Sequence, residues 1–166
     1  MQIAELNKVD QTGFVNALGW VFENSPWVAA RAWFRRPFSS LETLHAAMTA
    51  EVESAPEAEQ LQLLRSHPDL GTRARMADAS AAEQAGAGLD SLTAEEFEHL
   101  QQLNSTYKEK FGFPFLLAVK GSTKIDIMRS LEQRIGQPRD VEYREALRQV
   151  YRIAEFRLRE TLEKVH

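Results

Sequence analysis

The sequence predicts an all-α protein, and three observations predict it. Apolar residues recur at helical spacing along most of the chain. Proline, glycine and capping signals mark where those stretches begin and end. A single continuous apolar run, Gly112 to Val119, looks strand-like, and no second run exists to pair with it.

Taken in order, Phe14, Leu18, Val21 and Phe22 repeat at helical spacing after a polar start at Asp10. Ser25-Pro26 predicts an N-cap followed by proline at the first helical position, opening a helix from Trp27 to Phe34. Pro37 interrupts it. Ser39-Ser40-Leu41-Glu42 reads as a capping box for a helix to about Glu53. Pro56 starts the next, which carries Leu61, Leu63 and Leu64 and ends near Ser66, before Pro68. Thr93-Ala94-Glu95-Glu96 is a further capping box, ahead of a stripe of Phe97, Leu100, Leu103, Tyr107 and Phe111 closed by Gly112. Thr123 to Ile135 follows, stopped by Gly136 and Pro138, and Asp140 to about Lys164 is a last long helix. Its core face carries Tyr143, Leu147, Val150, Tyr151, Ala154 and Leu158, with Arg144, Arg148, Arg152 and Arg159 on a solvated basic stripe.

Two stretches resist this pattern. His67 to Ala79 has no sustained apolar period. The run near residues 113–119 is too short and proline-marked for a helix, so it reads as extended backbone whose peptide groups need partners. The expectation is one compact domain over residues 1–166, with about seven to nine helices and this one extended segment.

Composition excludes several function classes. The chain has no cysteine, which removes disulfides, thiolate metal sites and cysteine nucleophiles. A net charge of −4 over 166 residues argues against a general nucleic-acid binder. No apolar run approaches the roughly 20 residues of a membrane span, and the N-terminus lacks the basic and apolar regions of a signal peptide, so a cytoplasmic protein is expected. The four histidines, His45, His67, His99 and His166, are too far apart for a His-x3-His metal pair. Phosphate-loop, dinucleotide-turn and nucleophile-elbow motifs are missing.

Three features could carry chemistry. His67 stands at a helix C-terminus, where the helix dipole favours the protonated ring of a proton donor. The alternative is a helix-end histidine with no task. Ser80-Ala81-Ala82-Glu83-Gln84 has the form of a capping box, yet a helix N-terminus can also receive an anionic or carbonyl ligand. Arg157 falls at the border of the last helix's core face, so its guanidinium needs either an internal carboxylate or a ligand.

Four blocks occur in order: His67-Pro68-Asp69-Leu70, then Ser80 to Leu89, then Leu103-Asn104-x-x-Tyr107-Lys108-x-Lys110-Phe111-Gly112-Phe113-Pro114-Phe115, then Arg152-Ile153-Ala154-x-x-Arg157-Leu158. Together they resemble the family of 2-oxo-4-hydroxy-4-carboxy-5-ureidoimidazoline (OHCU) decarboxylases of uric acid degradation, from about residue 10 to residue 160. The departures are small: Gly71-Thr72 stands where the family often has Ala-Gly, and Arg152 where lysine is common.

The resemblance implies an all-helical, cofactor-independent and metal-free carboxy-lyase. Such an enzyme acts as a homodimer on a small-molecule substrate and releases CO2 to leave (S)-allantoin. By position, His67 is the acid/base residue and Glu83 its partner carboxylate, with either able to perform either proton transfer. Pro68, Ser80, Ala81, Ala82, Glu83 and Gln84 match substrate contacts, Phe115, Leu116, Leu117, Ala118 and Val119 match backbone contacts, and Arg157 matches an active-site arginine. A helical interaction module with a degenerate pocket would have lost His67, Glu83 or Arg157. A metal-dependent hydrolase fits poorly with the dispersed histidines.

Overall fold

A computed structural model of the chain describes residues 1–72 and 76–163. Among these residues the backbone forms nine α-helices and one 3-10 turn, with no strand, as the periodicity predicts. No described helix is long and apolar enough to cross a membrane. Two compact units emerge: Met1–Ser66 together with the chain from Tyr151 onward, and His67–Val150.

The first unit begins with α1 (Ile3–Leu6) and α2 (Gln11–Leu18). Asp10 starts α2 by accepting the Gly13 N–H at 2.8 Å. Phe14 and Leu18 are buried, and Val21 and Phe22 extend the apolar stripe beyond the helix into a turn. Helix α3 (Trp27–Ala32) begins at Trp27 as expected, but its cap is Pro26 and not Ser25, and it ends two residues before Phe34. Ser25 instead donates its hydroxyl proton to the Glu23 carbonyl at 2.8 Å. A 3-10 turn (Trp33–Arg35) ends this helix and leaves Phe34 exposed.

Helix α3 packs on α2 and on α4 (Leu41–Glu53). The α4 capping box also differs by one residue from the sequence reading. Ser40 pairs with Thr43, the hydroxyl of each accepting the other's N–H at 3.1 and 3.0 Å. Helix α5 (Glu57–Arg65) follows Pro56 as expected, and buried Gln60 ties it back to the Val52 carbonyl at 2.8 Å.

The second unit holds α6 (Asp78–Gly86), α7 (Ala94–Phe111), α8 (Lys124–Ile135) and the first half of α9 (Arg139–Glu163). The expected end of α9 at Lys164 lies outside the described residues. Thr93 and Glu96 form the capping box the sequence predicts, with both bonds made, at 2.9 and 3.1 Å. Gly112 closes α7 at φ +82°, a left-handed cap that a side chain would strain.

Helices α7 and α8 pack together. The core of this unit is aromatic: Tyr107, Phe111, Phe113 and Phe115 are all buried, with neighbouring ring centroids 4.5–6.1 Å apart. Each such side chain contributes about 1.5–3 kcal/mol by leaving water. Along α9, Leu147, Val150, Tyr151, Ala154 and Leu158 are buried while Arg144, Arg148 and Arg152 are exposed, as predicted, but Tyr143 and Arg159 are half-buried at the borders of the two faces.

Candidate functional site

His67 lies one residue past Ser66, the C-cap of α5, and is buried. The chain after it cannot be helical, because Pro68 restricts the residue before it and Gly71 adopts φ +74°. That positive φ favours glycine, and a Cβ there would press on the ends of the Leu100 and Leu92 side chains. The Leu70–Gly71 peptide is held from both sides. The Gly71 N–H donates to Gln84 Oε1 at 2.8 Å, and Asn104 Nδ2 donates to the Leu70 carbonyl at 2.9 Å. Lys108 Nζ reaches Asp69 Oδ2 at 3.3 Å.

Gln84 belongs to α6, and this helix corrects one expectation. It starts at Asp78 after Ala77, with no side-chain cap, so Ser80 and Glu83 lie within it and do not form a capping box at its start. The spacing i, i+3, i+4 then puts Ser80, Glu83 and Gln84 on one face. Ser80 and Gln84 are buried and Glu83 half-buried. Ala81 and Ala82 are exposed. One hydrogen bond, from Gly71 to Gln84, thus pins the helix that carries Glu83 to the loop that carries His67.

The segment from Phe115 to Val119 is neither helix nor strand, as its composition predicts. Two of its peptide groups find side-chain partners. Arg134 donates to the Leu116 carbonyl and lies over the Phe115 ring, 4.5 Å from its centroid. The Ala118 N–H donates to Gln149 Oε1 at 2.9 Å. The Val119 carbonyl accepts from Ser122. Among the described residues, the half-buried Leu117 contributes no peptide hydrogen bond. The segment therefore keeps an N–H and a carbonyl that another molecule can use.

Beneath the segment lies a buried ionic group that the sequence reading missed. Glu142 is 1% exposed and accepts from both Arg134 Nε and the Tyr107 hydroxyl, the latter at 2.8 Å. Burial, reinforced by the bond to the Glu142 carboxylate, pushes the Tyr107 phenol far above its ordinary value. It stays a neutral donor. A signal was present: Ile127, Leu131 and Arg134 fall at i, i+4 and i+7, so the arginine is in phase with the apolar stripe of α8.

Arg157 belongs to the first unit. Its guanidinium is 2.9 Å from Glu23 Oε2, and Nη1 also donates to the Trp20 and Val21 carbonyls at 3.2 and 3.3 Å. Both charged side chains are nearly sealed from solvent. Of the two partners weighed for this residue, the internal carboxylate is present. Two further histidines have partners: His45 Nε2 contacts the Tyr151 carbonyl at 2.8 Å, and His99 lies 3.2 Å from Glu132, while His166 lies outside the described residues.

The comparisons with known proteins agree with one another. A family model for OHCU decarboxylase matches residues 7–159. The 2-oxo-4-hydroxy-4-carboxy-5-ureidoimidazoline decarboxylase of Haloferax volcanii is 49% identical over 160 residues, covering 96% of this chain and 95% of that protein. The protein of that name from Halalkalicoccus jeotgali is 48% identical, over 96% of this chain and 91% of its own length. A crystal structure of (S)-allantoin synthase aligns with a TM-score of 0.78 at 30% identity, covering 98% of this chain and 54% of that longer chain. A family match across nearly all of the chain, joined by relatives close to half identical over almost their whole length, has one reading: the chain belongs to the OHCU decarboxylase family.

Proposed function

We propose that this chain decarboxylates OHCU to (S)-allantoin in uric acid breakdown, with His67 and Glu83 as its proton carriers and no cofactor. The observation that carries this reading is the Gly71–Gln84 hydrogen bond, which ties the His67 loop to the face of α6 that presents Ser80, Glu83 and Gln84.

The substrate supplies its own electron sink. The carbon bearing the carboxylate also bears a hydroxyl and adjoins a C=N. When the carbon–carboxylate bond breaks, CO2 leaves and its electron pair moves toward that C=N, whose nitrogen takes a proton. The product of this step is an enol. Loss of the hydroxyl proton and addition of a proton to the adjacent carbon then give allantoin. Two positioned acid/base groups suffice for these transfers, and protonation from one face sets the S configuration. Glu83 and His67 divide that work.

Binding falls to groups with hydrogen-bonding capacity to spare. Gln84 has Oε1 engaged by Gly71, and its Nε2 donates to a ureido or ring carbonyl. Leu117 offers a peptide N–H and carbonyl, held in place by Arg134 at Leu116 and by Gln149 at Ala118. Ser80 and Pro68 join the contact set on the family pattern, not on spare hydrogen-bonding capacity. The role of Arg157 as an active-site arginine rests on the family pattern alone.

The test is direct. OHCU is generated by oxidising urate and hydrolysing the product, the protein is added, and circular dichroism follows (S)-allantoin. The expected result is stereospecific signal growth that a chelator leaves unchanged. Racemic product at the uncatalysed rate would overturn the proposal. We further propose a cytoplasmic homodimer, for which sedimentation should return about twice the 18.9 kDa chain mass.

A further inference from the structure

Asn104 belongs to a sequence block that the chemistry above leaves unused. It is 2% exposed, its Nδ2 donates to the Leu70 carbonyl, and its Oδ1 has no hydrogen-bond partner among the described residues. A buried amide with half its capacity unmet is costly, and a leucine in this position on α7 would avoid that cost. Asparagine therefore has a task, and the bond to Leu70 identifies it.

The surroundings point the same way. Leu100, Asn104 and Lys108 repeat at i, i+4 and i+8 along one face of α7. Leu100 lies against Gly71, Asn104 holds the Leu70 carbonyl, and Lys108 pairs with Asp69. Gln84 secures the other edge of the same Leu70–Gly71 peptide. The chain from residue 69 to residue 71 is thus fixed by two helices, immediately after His67 and Pro68. We infer that Asn104 is a positioning residue for the decarboxylation, holding the loop that aims His67. This rests on the assignment of His67 as a proton carrier.

A double-mutant cycle tests it. Asn104→Ala is expected to lower kcat about 10- to 100-fold, with KM changed less than about threefold, because a small displacement of an acid/base group costs rate more than binding. In the His67→Ala background the same substitution should cost almost nothing further, since the residue it positions is gone. Amide exchange at Gly71 should quicken in Asn104→Ala. If alanine disrupts folding, Asn104→Asp keeps the shape while removing the amide donor, and the same cycle applies.

An equal loss in both backgrounds would mark a purely structural residue and overturn the inference. So would normal kcat in the folded Asn104 variants beside a disabled His67→Ala, which would leave the His67 assignment standing. His67→Ala with undiminished turnover would defeat that assignment and the inference together.

Discussion

Had Glu83 completed a capping box, glutamine could replace it without loss, since its side-chain carbonyl also reaches a cap N–H. Helix α6 starts at Asp78, however, which places Glu83 in the second turn beside the face shared by Ser80 and Gln84. On the proposed assignment, exchanging its carboxylate for an amide removes a proton carrier while keeping the size of the side chain. Glu83→Gln is accordingly expected to lower turnover at least about tenfold while leaving the melting temperature unchanged. Equal turnover would return Glu83 to a structural role. His67→Ala should cost more, about 10²- to 10⁴-fold in kcat, as the loss of a general acid/base does. The ring is buried at the head of a loop that Gln84 and Asn104 secure at Leu70–Gly71, and near-normal turnover in that variant would remove His67 from the chemistry.

Helix starts carry the pH dependence that can be argued from individual groups. The Thr93 N–H, with help from Lys124, holds the Glu96 carboxyl below the ordinary 4.5. The Thr123 N–H likewise holds Asp126 below 3.8. A carboxylate with a depressed folded pKa lends stability that is complete above its ordinary value and is lost as pH falls through the folded one. Glu96→Gln keeps an oxygen for the Thr93 N–H but no longer titrates. Its melting temperature should therefore fall less between pH 6 and pH 3 than that of the unmodified chain, and parallel acid limbs would refute the assignment. These caps also show what a sequence makes legible. Thr93 with Glu96 was readable because both partners lie within four residues. Ser80 with Glu83 carries the same local signature, yet it falls inside a helix that begins two residues earlier. The run at 113–119 was recognisable as extended from Pro114 and its length. Its partners, Arg134 and Gln149, lie 18 and 31 residues away from the groups they hold, beyond any local pattern. Only the phase of Arg134 with Ile127 and Leu131 hinted at burial. The roles proposed for His67 and Glu83 come from the family pattern, because spacing alone favours a helix-end histidine and a cap.

For the molecule as a whole, the order of the chain constrains how it can fold. The first unit is discontinuous: residues 1–66 are completed by the second half of α9, which resumes the unit at Tyr151 after residues 67–150. That returning stretch brings Arg157 to Glu23, supplies donors to the Trp20 and Val21 carbonyls, and offers the Tyr151 carbonyl to His45. Glu23 is 2% exposed, so removing Arg157 strips a buried carboxylate of its guanidinium partner. Breaking such a pair costs about 3–5 kcal/mol, a large part of the 5–15 kcal/mol that typically separates folded from unfolded domains. A chain of 66 residues also has less surface to bury per residue than the full molecule. The fragment 1–66 is therefore expected to lack a cooperative thermal transition by circular dichroism and to show poorly dispersed amide resonances. Joining residues 151–163 to it through a flexible linker should restore both, and Arg157→Met within that joined fragment should abolish them again. A fragment 1–66 that melts cooperatively near the temperature of the intact chain would show that the returning helix is dispensable, and that the Glu23–Arg157 pair is not what closes this unit.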